Sequence, residues 1–125
     1  MANEADEGWS LDWTEMIGAV PPFAQALHDI SEVADEAYRR QRRWIVEKRA
    51  DGLSDREKET LMMVLNIAVA NTPGAVTHMR AARRHGLTEW QLREELAQSF
   101  LFVGAIEFVR TGQVVWQEWK SADDS

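Results

Sequence analysis

Helix start and stop signals recur so regularly along this chain that they leave little room for anything but helices. Ser54-x-x-Glu57 has the pattern of a capping box, in which a hydroxyl and a carboxylate each satisfy a backbone N–H that the first helical turn leaves unpaired. An apolar run follows at once, Leu61 through Ala70, and it is apolar nearly all round, as a central buried helix would be. Thr72 and Pro73 then predict an N-cap and a first-position proline. The helix they open is expected to end at His85, with Gly86 in the left-handed position that closes a helix. Thr88-x-x-Gln91 is another capping box and opens the last helical region, which Gly104 and Gly112 are placed to break or kink.

The first third of the chain carries weaker signals of the same kind. "SLDWTEMIGAV" predicts a short helix with Ser10 as a possible cap and Gly18 near its end, and Pro22 suits the first position of the next. Asp29-x-x-Glu32 resembles a capping box without its hydroxyl, and it predicts a helix to about Arg49 with Val33, Ala37, Trp44 and Ile45 on the inner side. Residues 1–9 and 121–125 read as frayed ends. Val114 and Val115 are too short a run to predict a strand. The expectation is an all-α, single-domain bundle of about six helices spanning residues 1–125.

Composition removes whole classes of chemistry. With no cysteine among its 125 residues the chain cannot perform thiol catalysis, carry a CxxC redox pair, or offer thiolates to zinc or an iron–sulfur cluster. Three scattered histidines lack the spacing of a helical metal site, so no metal is expected. A net charge of −7 argues against nucleic acid as a partner. The basic run at residues 39–43 follows Asp35 and Glu36 by four positions, the favourable order for ion pairs on a solvated helix face. The opening "MANEADEGWS" is acidic and polar, unlike a signal peptide. The longest apolar stretch falls well short of the ~20 residues that span a bilayer. A soluble, cytoplasmic protein without a membrane partner is therefore expected. Six tryptophans against one tyrosine hint at interface anchors and self-association.

The segments "LSDREKETLMMVLNIAVAN" and "HMRAARRHGLTEWQLREELAQSFLFVGA" occur in an order that resembles the carboxymuconolactone decarboxylase family, which includes the alkylhydroperoxidase D-type proteins. The resemblance runs from Leu53 to about Ala105, and it implies an alkylhydroperoxidase D-like all-α fold that assembles as a trimer or hexamer. In the redox branch of that family a CxxC pair precedes a histidine, and a glutamate one helix earlier completes a proton relay. The two cysteine positions fall on Asn71 and Gly74, the histidine on His78 and the glutamate on Glu59. The acid/base half of the site is thus retained and the thiol half is absent, so a thiol peroxidase or disulfide reductase is ruled out. What remains resembles the cofactor-independent decarboxylase branch, which acts on carboxylated lactones from aromatic breakdown.

The same residues can be read without the family. Glu59 lies at the edge of the apolar run, where a partly desolvated carboxylate is suited to proton transfer; alternatively it faces solvent in a first turn that favours acids. His78 has Ala75 and Ala82 on its own helical face, and imidazole exchanges protons near pH 7. A half-buried histidine with satisfied hydrogen bonds would look the same. His85 suits a helix C-terminus, and His28 has no evident partner. Free N–H groups at Thr72–Pro73–Gly74 could receive a substrate carboxylate, or simply begin a helix. Asn66, two turns after Glu59, could face the same cavity or make a buried structural hydrogen bond. Glu107 and Arg110 could pair, line a subunit interface, or hold a carboxylate through arginine's fork.

Together these readings predict a cofactor-independent lyase acting on a small carboxylated lactone or keto acid, with His78 and Glu59 catalytic and Asn71, Thr72, Gly74, Asn66 and Arg110 binding substrate. Two alternatives stand beside it: an oligomeric ligand-binding protein without catalysis, and an isomerase or hydrolase that uses the same pair.

Overall fold

The structure, a computed structural model, describes residues 4–123, and among these there are helices and no strand. The order is α1 (Glu4–Ile17), α2 (Pro22–Ile30), α3 (Glu32–Val46), α4 (Asp55–Ala68), α5 (Thr72–Arg84), α6 (Glu89–Glu107), a π segment (Phe108–Gly112) and α7 (Gln113–Asp123). Helix therefore occupies most of the two stretches read as frayed ends, from Glu4 and as far as Asp123. Residues 1–3 and 124–125 lie outside the described residues. The chain divides into two compact units between Glu47 and Lys48.

In the first unit α1 and α2 each pack on α3. Its core is partly polar. Asp35 is fully buried and accepts from Trp13 Nε1 at 3.0 Å and from Arg39 Nε at 2.9 Å. Arg39 also donates to Asp12 at 2.7 Å, and Arg43 pairs with the same carboxylate. The predicted inner side of α3 is corrected: Val33, Ala37 and Trp44 are exposed and only Ile45 is half-buried, and Asp35 and Arg39 face inward instead. A buried carboxylate is tolerated because each of its two oxygens finds a donor, the Trp13 indole on one and the Arg39 guanidinium on the other. Of the two expected surface pairs, Arg40–Glu36 is exposed and Arg39–Asp35 is internal. Two caps also differ. Ser31 caps α3 through its hydroxyl, displacing the box read at Asp29, and α1 begins upstream of Ser10.

The second unit follows its signals closely. Both capping boxes form, Ser54 with Glu57 and Thr88 with Gln91. The Ser54 amide and hydroxyl hold the Glu57 carboxyl below the usual carboxylate range. Gly86 closes α5 with φ +97°. The core joins Met63 and Ile67 of α4, Ala75, Met79 and Ala82 of α5, Leu92 and Leu96 of α6, and Val115 and Trp119 of α7. Arg83 lies 3.9 Å over the Trp119 ring and donates to its carbonyl, tying the end of α5 to α7. The run read as buried all round is corrected: Leu61 and Leu65 on α4, and Val69 at its C-cap, face outward. No helix among the described residues is long and apolar enough to cross a membrane.

Candidate active site

Helices α4 and α5 form an antiparallel hairpin, and its facing sides carry most of the residues singled out from the sequence. In the second turn of α4, Glu59 Oε2 lies 2.6 Å from His78 Nδ1 on α5. Both side chains are mostly withdrawn from solvent, His78 at 16% exposure and Glu59 at 26%. A carboxylate on Nδ1 favours the proton on that nitrogen and leaves Nε2 to give or accept one, which is the geometry acid/base chemistry requires. Glu59 is thus turned toward His78 and not into open solvent.

The turn of the hairpin is built from amides. Asn66 Nδ2 donates to the Met62 carbonyl at 2.7 Å, and its Oδ1 accepts from Asn71 Nδ2 at 2.7 Å. Asn71, not Thr72, is the N-cap of α5, its Oδ1 facing the Gly74 N–H at 3.4 Å. The N-cap therefore shifts back by one residue, because an amide reaches over the first turn while the Thr72 hydroxyl finds a different partner. That hydroxyl donates to the Arg110 carbonyl at 3.1 Å and lies 2.9 Å from Thr111 Oγ1, linking α5 to the π segment. Gly74 makes room for the amide pair: a Cβ there would stand 2.4 Å from Asn66 Oδ1.

Glu59, His78, Asn66, Asn71 and Gly74 thus share one hairpin, with Gly74 one turn from His78 and Asn66 two turns from Glu59. The start of α5, read as an open anion site, already carries the Asn71 side chain. Arg110 joins this region through its carbonyl, while its exposed guanidinium pairs with Glu107 at 3.3 Å. His85 is the C-cap residue of α5. His28 stacks on Trp9 with ring centroids 4.0 Å apart, and its Nδ1 is 3.5 Å from Asp35.

One titratable group escaped the sequence reading. Glu95 lines a groove of about 420 Å³ between α4 and α6, with Leu61, Val64, Leu65 and Phe102 among its apolar walls. Burial pushes its carboxyl up to about 7 against the pull of Arg56. Its place within the stripe Leu92, Leu96, Ser99 and Val103 was the signal, since an acid at core spacing on a helix asks for an explanation. Glu59 and His78 are not among the lining residues.

No family sequence profile and no curated protein sequence matches the chain. Among solved structures, its fold is similar to that of a Burkholderia xenovorans LB400 protein provisionally described as a carboxymuconolactone decarboxylase. The TM-score is 0.77 at 22% identity, over 94% of this chain and 90% of that one. The chain therefore has the carboxymuconolactone decarboxylase fold, the fold its sequence resembles.

Proposed function

We propose that this chain is a cofactor-independent lyase of the carboxymuconolactone decarboxylase type, acting on a small substrate with a carboxylate next to a carbonyl or lactone. The observation that carries the reading is the 2.6 Å Glu59–His78 contact, in a chain that has this fold and no cysteine. Loss of carbon dioxide breaks the bond from carboxylate to α-carbon and leaves its electron pair on that carbon, delocalised into the carbonyl as an enolate. His78 Nε2–H then gives its proton to the α-carbon, and solvent restores it. Glu59 holds the ring through Nδ1–H and stabilises the imidazolium that gives this proton; the ring is then neutral until solvent re-protonates Nε2. Asn71 spends one of its two amide hydrogens on Asn66, which leaves the second for the enolate oxygen. Thr72, Gly74 and Asn66 shape this end of the site, and Arg110 is the nearby cation for a substrate carboxylate once it leaves Glu107.

The test is carbon dioxide release across a panel of 4-carboxymuconolactone and β-keto acids. Glu59→Gln and His78→Ala are each expected to lower turnover by roughly 10²–10⁴-fold, the usual worth of a positioned acid/base. Undiminished turnover in both variants would remove the pair from the mechanism. An isomerase or hydrolase using the same pair would convert substrate without releasing carbon dioxide.

A second reading, a self-associating ligand-binding protein, draws on one observation. Leu101, Phe102 and Ile106 on α6 are 84%, 88% and 71% exposed, an apolar ridge that monomers seldom leave uncovered. Trimers or hexamers seen by light scattering at micromolar concentration, with silence across the panel, would favour it.

A further inference from the structure

The α4–α6 groove has the composition of a ligand site that is separate from the Glu59–His78 pair. Its volume, about 420 Å³, lies in the range of small-molecule sites, and its walls are predominantly aliphatic and aromatic. Two hydroxyls on the walls are already spent within their own helices: Thr60 on the Arg56 carbonyl and Ser99 on the Glu95 carbonyl. Glu95 is different. Its Oε2 is cut off from solvent and has no hydrogen-bond partner, so the groove holds a carboxyl with an unmet demand for a donor.

We propose that this groove binds an apolar amine, its hydrocarbon body along Leu61, Leu65 and Phe102 and its ammonium on the Glu95 carboxylate. An ammonium supplies both what the buried oxygen lacks, a donor, and what a net charge of −7 favours, a cation. The charges that act on Glu95 are Arg56 on α4, which favours its ionised form, and Glu94 on α6, which opposes it. Arg56 does not offset burial, and the carboxyl keeps its proton to about pH 7. Binding therefore exchanges that proton for the ligand's charge. Affinity should rise with pH up to and slightly past neutrality and then level off.

Titration calorimetry with phenethylamine, and with phenethyl alcohol as its uncharged counterpart, tests this on the whole chain. The amine's ammonium stays charged from pH 6 to 8. With Glu95 titrating at about 7, its binding should be about tenfold tighter at pH 8 than at pH 6, with release of a proton at the lower pH. The alcohol should bind more weakly at pH 8. Glu95→Gln should abolish both the pH dependence and the preference for the amine. The comparison of amine with alcohol in the native chain stands even where that variant folds poorly. Equal binding of amine and alcohol, amine binding that ignores pH, or no binding because a second copy occupies the groove, would each overturn the proposal.

Discussion

A Cβ on Gly74 would stand 2.4 Å from Asn66 Oδ1 and 2.6 Å from Asn71 Nδ2, so the glycine and the two amides form one unit. Gly74→Ala should destabilise the fold by about 1–3 kcal/mol, the usual cost of overpacking. Trimming Asn66 to Ala in the same chain should recover part of that loss, and denaturant titration of the two single variants and the double measures the coupling. Additive losses would mean that the amides move aside freely. Asp35 has a similar role in the first unit, where it receives Trp13 and Arg39 with no exposure of its own. Asp35→Ala should cost about 1–3 kcal/mol by leaving the Trp13 indole N–H and the Arg39 Nε–H without an acceptor, while Asp12 keeps its hold on the guanidinium. Asp35→Asn should cost less, because it still accepts from the indole. The residues of the hairpin were legible to different degrees. The family resemblance names Glu59 and His78, and their residue types alone leave a structural role equally open. Asn66, Asn71 and Gly74 are each legible as substrate contacts, but their contact with one another is not, because a close approach between side chains is decided only by packing.

At the scale of elements, the bend in α6 rests on Gly104. Its φ of 83° and ψ of 177° lie in a region open essentially to glycine, and nothing lies within 4 Å of where a Cβ would be. Gly104→Ala should therefore lose about 1–3 kcal/mol through backbone strain alone. A thermal melt checks this, and an unchanged midpoint would show that the helix accepts a straight path there. Gly104 and the capping boxes of α4 and α6 were readable because caps and kinks are local: a hydroxyl, an acid three residues on, or a residue without a side chain suffices. Faces were harder. Leu61, Leu65 and Val69 look like core by composition, yet they line a groove or face outward, since composition does not tell a helix which neighbours it will meet. On α3 the opposite error arises. Its inward residues, Asp35 and Arg39, are charged, and an apolar pattern cannot identify a face that is buried through ion pairs.

For the molecule as a whole, Glu95 makes stability depend on pH in a direction opposite to that of the surface carboxylates. Glu57 and Glu89 are held below 4.5 by their partners, so their contribution is present above that value and fades as pH falls through their lowered pKa values. Glu95 titrates at about 7 when folded and near 4.5 when unfolded. Between those values the folded chain binds more protons. The stability Glu95 provides is complete below about 4.5, declines as pH rises through about 7, and is flat beyond. The side chain keeps some solvent contact, so the loss should be about 1–2 kcal/mol, well under the full value of the shift. Urea titrations from pH 5 to 9 should show Glu95→Gln gaining on the native chain as pH rises, by that amount at pH 8, while the two converge toward pH 5. Curves that stay parallel would mean that the groove does not desolvate this carboxyl. The amine proposal predicts how the penalty is relieved. A ligand bound only by the folded form raises stability by mass action, and one that pairs with ionised Glu95 does so most where the ionised form prevails. Phenethylamine should therefore raise the unfolding midpoint more at pH 8 than at pH 6, and phenethyl alcohol should raise it equally at both.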